Sequence, residues 1–183
     1  LCADLGIDDS EPPLTEAEKQ ASLRDLLHSR SGIFHSALYE VGGWKRMRAE
    51  LAREKSETGG YAPGDYWIYN NWDFNAIGFI FEKLTGNSIY KELEEQIANP
   101  VGFEDWNFKL QKKSGDLTKS KYPAYHMYLS TRDMAKVGQL MLDNGEWNGK
   151  QLFSKKWLKK IVTQITPKDT VTKRRSNSKS LSP

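Results

Sequence analysis

Tyr69 and Asn71 stand two residues apart in Tyr69-Asn70-Asn71, and side chains at that spacing on an extended stretch point the same way. A phenol beside a lysine ammonium has its pKa lowered toward the range in which it takes a proton near neutral pH. An asparagine amide can hold both a lysine and a substrate carbonyl. Taken by itself, Y-x-N is a weak signal, and a structural tyrosine is the default reading. Other chemistries find less support. There is no G-x-S-x-G elbow to activate a serine. His28, His35 and His126 show no H-x-x-x-H spacing, so no metal site and no cofactor is expected, and His28 and His35 read as partly exposed loop residues. Gly42-Gly43 and Gly59-Gly60 are isolated pairs that open no phosphate-binding turn. Cys2 is the single cysteine, which excludes a disulfide framework and any CxxC site.

The elements that must position Tyr69 and Asn71 lie on both sides of them. Ser22-Leu23-Arg24-Asp25 has capping-box spacing, and Leu23, Leu26 and Leu27 form the apolar stripe of a short helix that stops near Ser31-Gly32. Trp44 to Lys55 reads as a charged helix, and Pro63-Gly64 as a turn. Phe74, Ile77, Phe81 and Leu84 recur at helical spacing up to Gly86. Ser88 is expected to cap a helix carrying Ile89, Leu93 and Ile97, ended by Asn99-Pro100. Residues 102–124 read as loop with one short strand. Ser130-Thr131-Arg132-Asp133 is a second capping box, followed by a stripe of Met134, Val137, Leu140 and Met141 and a stop at Gly145. Trp147 to Lys150 predicts a turn, and Ser154 caps a last helix. The chain is predicted to be mostly α, with little sheet.

The 183 residues suffice for one domain and a real core. No apolar run approaches the roughly 18 residues of a bilayer span. Charge is unevenly spread: residues 1–149 carry 17 Lys/Arg and 23 Asp/Glu, whereas residues 150–183 carry 10 Lys/Arg and one acid, Asp169. Lys155, Lys156, Lys159 and Lys160 flank Trp157, Leu158, Ile161 and Val162 in an amphipathic helical pattern. Residues 167–183 form a basic, low-complexity tail. Such a tail can bind nucleic acid, but no aromatics interleave with its charges, and none is expected as a partner. The first residues show no signal peptide and the chain does not begin with Met, so it reads as a piece of something longer. Oligomeric state is not legible.

Several blocks occur in a specific order. They are Ala21 through Ile33, with Leu26-Leu27 and Ser31-Gly32; Ala62-Pro63-Gly64; Tyr69-Asn70-Asn71; Phe74 through Gly78; Glu82 through Gly86; Ile97 through Gly102; and Ser130 through Ala135. Together they resemble the serine β-lactamase-like family, that is, the class C β-lactamases and the related penicillin-binding-protein-like DD-peptidases and esterases. The similarity runs from about residue 20 to about residue 165.

The resemblance implies acyl transfer. A serine of Ser-x-x-Lys attacks a carbonyl, and water hydrolyses the acyl-enzyme; Tyr69 would be general base and acid, and Asn71 would position lysine and substrate. The implied substrate is a small ester, β-lactam or D-Ala-D-Ala-type peptide, and the implied location periplasmic or extracellular. The implied fold is the helical subdomain of the α/β β-lactamase/transpeptidase-like fold, with residues 1–166 as its central part.

The chain departs from the family pattern at both ends. No Ser-x-x-Lys lies before Leu26, and the two that occur, Ser88 to Lys91 and Ser176 to Lys179, sit in a helix cap and in the basic tail. No Lys-Thr-Gly or His-x-Gly follows. The expectation is a fragment of a serine hydrolase, inactive alone and with no nucleophile of its own. The alternatives are a truncated, non-catalytic binding module of the same fold and a nucleic-acid binder acting through residues 150–183.

Overall fold

In a computed structural model, the residues described are 6–7, 14–38, 62–65 and 67–166. The helix expected over Trp44 to Lys55 and the basic tail fall outside them. The chain divides into two compact units, one comprising residues 1–80, 113–125 and 166–183, the other residues 81–112 and 126–165.

The first unit begins with two short helices, α1 (Glu16–Lys19) and α2 (Leu23–Leu27), each opened by a complete capping box. Thr15 serves α1. Ser22 Oγ accepts from Asp25 N at 3.2 Å while the Asp25 carboxylate accepts from Ser22 N at 2.9 Å, as the spacing predicts. Leu26 is buried, whereas Leu27 faces outward, so the expected stripe narrows to Leu26 with Leu23 partly covered.

The long helix α3 (Asn71–Thr85) ends where Gly86 adopts φ +71°. Its existence and its stop follow the expected pattern; its buried face follows it only in part. Trp72, Ala76 and Ile80 form the inner row, joined by Asp73 and Asn75, while Phe74 and Leu84 are 42% and 58% exposed. The apolar spacing caught only the edge of the buried face: Ile77 packs against the core and Phe81 is half-buried, but the inner row also takes the polar Asp73 and Asn75. Trp72 meets Tyr122 edge-on at 5.5 Å, an arrangement worth about 0.5–1.5 kcal/mol beyond area burial. Asn75 Nδ2 donates to Tyr122 O at 3.2 Å. Leu26, Ile33 and Ile80 join this core, each worth about 1.5–3 kcal/mol when fully buried, together with Ile7, Leu14, Ala21 and Ala37.

The second unit contains α4 (Ile89–Leu93), a π turn (Glu94–Ala98) and α5 (Asn99–Val101). Two expectations change here. Ser88 makes no side-chain cap bond, and Ile89 N donates instead to Glu82 Oε1 at 3.3 Å. Asn99-Pro100 does not end the helix; the backbone stays right-handed helical from α4 through the π turn into α5, and Gly102 at φ +73° ends it.

Helix α6 (Thr131–Leu142) keeps only half its predicted box. Ser130 Oγ accepts from Asp133 N, but the buried Asp133 carboxylate accepts from Glu104 N at 2.9 Å and Asp105 N at 3.2 Å. Of its predicted stripe only Leu140 is fully buried, and Met134 and Met141 are exposed.

The sheet content is small, as expected. Strands β1 (Lys112–Ser114) and β2 (Ala124–His126) form one two-stranded sheet. β3 (Glu146–Trp147) and β4 (Lys150–Gln151) pair antiparallel, with Glu146 opposite Gln151 and Trp147 opposite Lys150. Asn148 and Gly149, both at positive φ, make the two-residue turn of this hairpin. In α7 (Lys155–Val162) Ser154 Oγ accepts from Trp157 N, the predicted cap. Among the described residues no helix is long and apolar enough to cross a membrane, and no cluster of His, Cys, Asp and Glu could hold a metal ion.

Candidate active site

The loop after α2 and the segment leading into α3 are tied together in register. Ser29 O accepts from Ile68 N at 2.8 Å, and Arg30 O accepts from Gly64 N at 2.8 Å, while an Arg30 guanidinium N–H donates to Gly64 O. The loop bends back through Ser29 at φ +52°, a left-handed conformation that is costly for a non-glycine residue, and Gly32 at φ +73°. Strain of this kind persists only where surrounding contacts fix it, and Ser29 is buried.

These ties deliver the Tyr69-Asn70-Asn71 triplet. Tyr69 is 55% exposed, and its ring lies 5.6 Å from that of Phe74, one turn along α3. Asn70 is 1% exposed; its Nδ2 donates to Ile33 O at 2.7 Å and its Oδ1 accepts from Trp72 N at 3.1 Å. Asn70 is thus the N-cap of α3 and a clamp on the preceding loop. Asn71 is half-buried and donates from Nδ2 to Leu38 O at 3.4 Å. It is the first residue of α3 and not part of an extended stretch, so the helix start aims its side chain, not the alternation of a strand.

Two further side chains complete the neighbourhood. Ser31 Oγ donates to Asp73 Oδ1 at 2.7 Å and accepts from Ile33 N at 3.0 Å. Asp73 is fully buried, and its Oδ2 has no hydrogen-bond partner among the described residues. Burial pushes its carboxyl pKa well up, Asp25 adds to the rise, and the Ser31 hydrogen bond opposes it. His35 is buried, contrary to the expected partly exposed loop residue; its ring lies 5.8 Å from Trp72 and its Nδ1 is 3.1 Å from Ser36 O. His28, at the C-cap of α2, has its pKa lowered, by burial first and by the charge of Arg24 next.

Sequence reasoning assigned no role to Asn70, Ser31 or Asp73. The Asn70 cap was findable, since Asn directly before a helical pattern is a start signal. The Ser31–Asp73 bond spans 42 positions and has no local signature.

Comparison with known proteins settles the family. The Beta-lactamase family model matches residues 8–173. The chain belongs to the Beta-lactamase family. An uncharacterized protein of Alkalihalophilus pseudofirmus is 26% identical over 91% of this chain and 50% of its own length. A D-aminopeptidase of Brucella anthropi is 30% identical over 48% of this chain and 18% of its own. A protein of Escherichia coli O157:H7 named "Putative D-alanyl-D-alanine carboxypeptidase" is 23% identical over 86% of this chain and 47% of its own. A solved structure named "Putative 6-aminohexanoate-dimer hydrolase from Bacillus anthracis" aligns with a TM-score of 0.56 at 24% identity, over 80% of this chain and 42% of that one. The likeness shows the fold: this β-lactamase-family chain is a mostly α portion of it. The chain spans at most about half the length of these relatives.

Proposed function

We propose that this chain is the Tyr-x-Asn-bearing portion of a β-lactamase-related serine hydrolase, with Tyr69 as general base and acid and Asn71 as the residue that positions lysine and substrate. The nucleophilic serine and its lysine lie, in this reading, in a Ser-x-x-Lys segment outside residues 1–183. The observation that carries the proposal is the sorting of the triplet, with Asn70 locked beneath the helix start and Tyr69 55% exposed above it.

The chemistry is a two-step acyl transfer. Tyr69 takes the proton of the serine hydroxyl as the Ser O–C bond forms at the substrate carbonyl. It returns that proton to the departing oxygen or nitrogen as the carbonyl bond to the leaving group breaks. A water then loses a proton to Tyr69 and attacks the acyl-enzyme; the Ser O–C bond breaks and serine regains its proton. Proton handling of this kind contributes about 10²–10⁴-fold. The substrate is an ester, a β-lactam or a D-Ala-D-Ala-type amide, which share this acyl chemistry and differ in the pocket walls. Two of the relatives bear the names D-aminopeptidase and "Putative D-alanyl-D-alanine carboxypeptidase", which supports the D-amino-acid peptide class among these three.

The test uses p-nitrophenyl acetate, a chromogenic β-lactam and a peptide ending in D-Ala-D-Ala, each assayed with the 183-residue chain and with the longer polypeptide that includes the Ser-x-x-Lys segment. Turnover by the longer form, lost in Tyr69→Phe, is expected. Tyr69-dependent turnover by the 183-residue chain would overturn the assignment of the nucleophile.

A further inference from the structure

Buried beneath the candidate site is a ring of hydrogen bonds to which the acyl-transfer reading gives no part. From the Asp73 carboxylate it passes to Ser31 Oγ at 2.7 Å, and from Ser31 Oγ to Ile33 N at 3.0 Å. Ile33 O accepts from Asn70 Nδ2 at 2.7 Å, and Asn70 Oδ1 accepts from Trp72 N at 3.1 Å, one residue from the starting point. The ring therefore bolts the first turn of α3 to the loop after α2 at two points, residues 70 and 73. Tyr69 lies immediately before the first bolt and Asn71 between the two.

We propose that Ser31 and Asp73 are positioning residues that fix how Tyr69 and Asn71 are presented, with Ser31 as the shared joint. The proposal rests on the functional reading of Tyr69 and Asn71 for its purpose, though not for its geometry. Three features support it. Ser31 Oγ is engaged as both donor and acceptor, so its loss frees both the Ile33 backbone and Asp73. Asp73 and Asn70 are buried at 0% and 1% exposure, and there Asp73 Oδ1 and both ends of the Asn70 amide are hydrogen-bonded. A carboxylate placed by chance on this inner face would cost more than an alanine of the same row, such as Ala76. Within the ring Asp73 needs to offer one acceptor oxygen and no charge, and an asparagine presents the same acceptor.

The test measures amide hydrogen exchange in the 183-residue chain. In Ser31→Ala and Asp73→Ala, amides of residues 68–73 are expected to exchange at least tenfold faster, with those of residues 131–142 unchanged. Asp73→Asn is expected to stay within about threefold of wild type at 68–73. If Asp73→Ala does not fold, Ser31→Ala and Asp73→Asn still decide the matter. A uniform rise across both segments, no local rise in Ser31→Ala, or a failure of Asp73→Asn to restore protection would overturn the positioning role. The second arm uses the longer hydrolase: Ser31→Ala is expected to lower kcat at least tenfold with KM within threefold, and Asp73→Asn to retain kcat. Local loosening with kcat unchanged would refute the link to presentation. A wild-type longer form that shows no Tyr69-dependent turnover would instead sink the functional reading, leaving the exchange result to judge the ring.

Discussion

Tyr69 and Asn70, adjacent in the chain, go to opposite environments at the start of α3: Asn70 is buried against Ile33 O, and Tyr69 stands out over Phe74. The separation comes from capping. An N-cap asparagine whose two ends are both bonded cannot turn, and the residue before it is pushed outward.

Asn70→Ala removes the cap of α3 and leaves Ile33 O without its donor. The expected loss is about 1–3 kcal/mol of unfolding free energy. Urea denaturation measures it; a loss below about 0.5 kcal/mol would mean that Asn70 neither caps nor clamps.

Asp73 gives a pH dependence of a definite sign. Its native pKa is raised, chiefly by burial. Between the ordinary carboxylate range and that raised value the native state keeps a proton that the unfolded chain has released. Stability therefore falls as pH rises through this window. Asp73→Asn cannot ionise, so thermal midpoints of variant and wild type are expected to diverge upward from pH 4 to pH 8 in the variant's favour. Parallel curves would contradict it.

Two glycines near α6 and α7 should respond in opposite ways. At Gly145, φ is +80° and an added Cβ would stand 2.5 Å from Phe153 O and 2.9 Å from Leu158 Cδ1. Gly145→Ala is expected to cost more than about 2 kcal/mol. At Gly138, inside α6, a Cβ meets nothing within 4 Å. Gly138→Ala is expected to gain about 0.5–1 kcal/mol. Urea midpoints of the two variants check both signs.

What the sequence made legible was local. The box at Ser22, the caps of α6 and α7, the stops at Gly86 and Gly145 and the Asn148-Gly149 turn depend on residues within four positions of one another. So does the mostly α character of the chain. What it hid was long-range. The inner face of α3 carries Asp73 and Asn75, whose partners Ser31 and Tyr122 O lie 42 and 47 positions away, so periodicity of apolar residues caught only the edge of that face and took in the exposed Phe74 and Leu84. The same failure exposed Met134 and sent the Asp133 carboxylate to residues 104 and 105. Tyr69 and Asn71 became candidates through the family resemblance, whereas the hydrogen bonds around them, from Asn70 to Ile33 O and from Ser31 to Asp73, came only from tertiary contacts.

Several large apolar side chains lie exposed on the described helices, Leu84, Leu142, Ile161 and Val162 among them. Exposed apolar surface of this kind favours association. The 183-residue chain is expected to self-associate with rising concentration, and less so after Leu142→Glu with Ile161→Glu; light scattering across a dilution series would show it.

The most direct test of the central claim is steady-state hydrolysis by the longer polypeptide carrying Ser-x-x-Lys, compared with its Tyr69→Phe variant. Phenylalanine keeps the ring contact with Phe74 and removes only the hydroxyl. The prediction is a fall in kcat of about 10²–10⁴-fold with KM changed little. A kcat within threefold of wild type would contradict the assignment of Tyr69 and return it to a structural role.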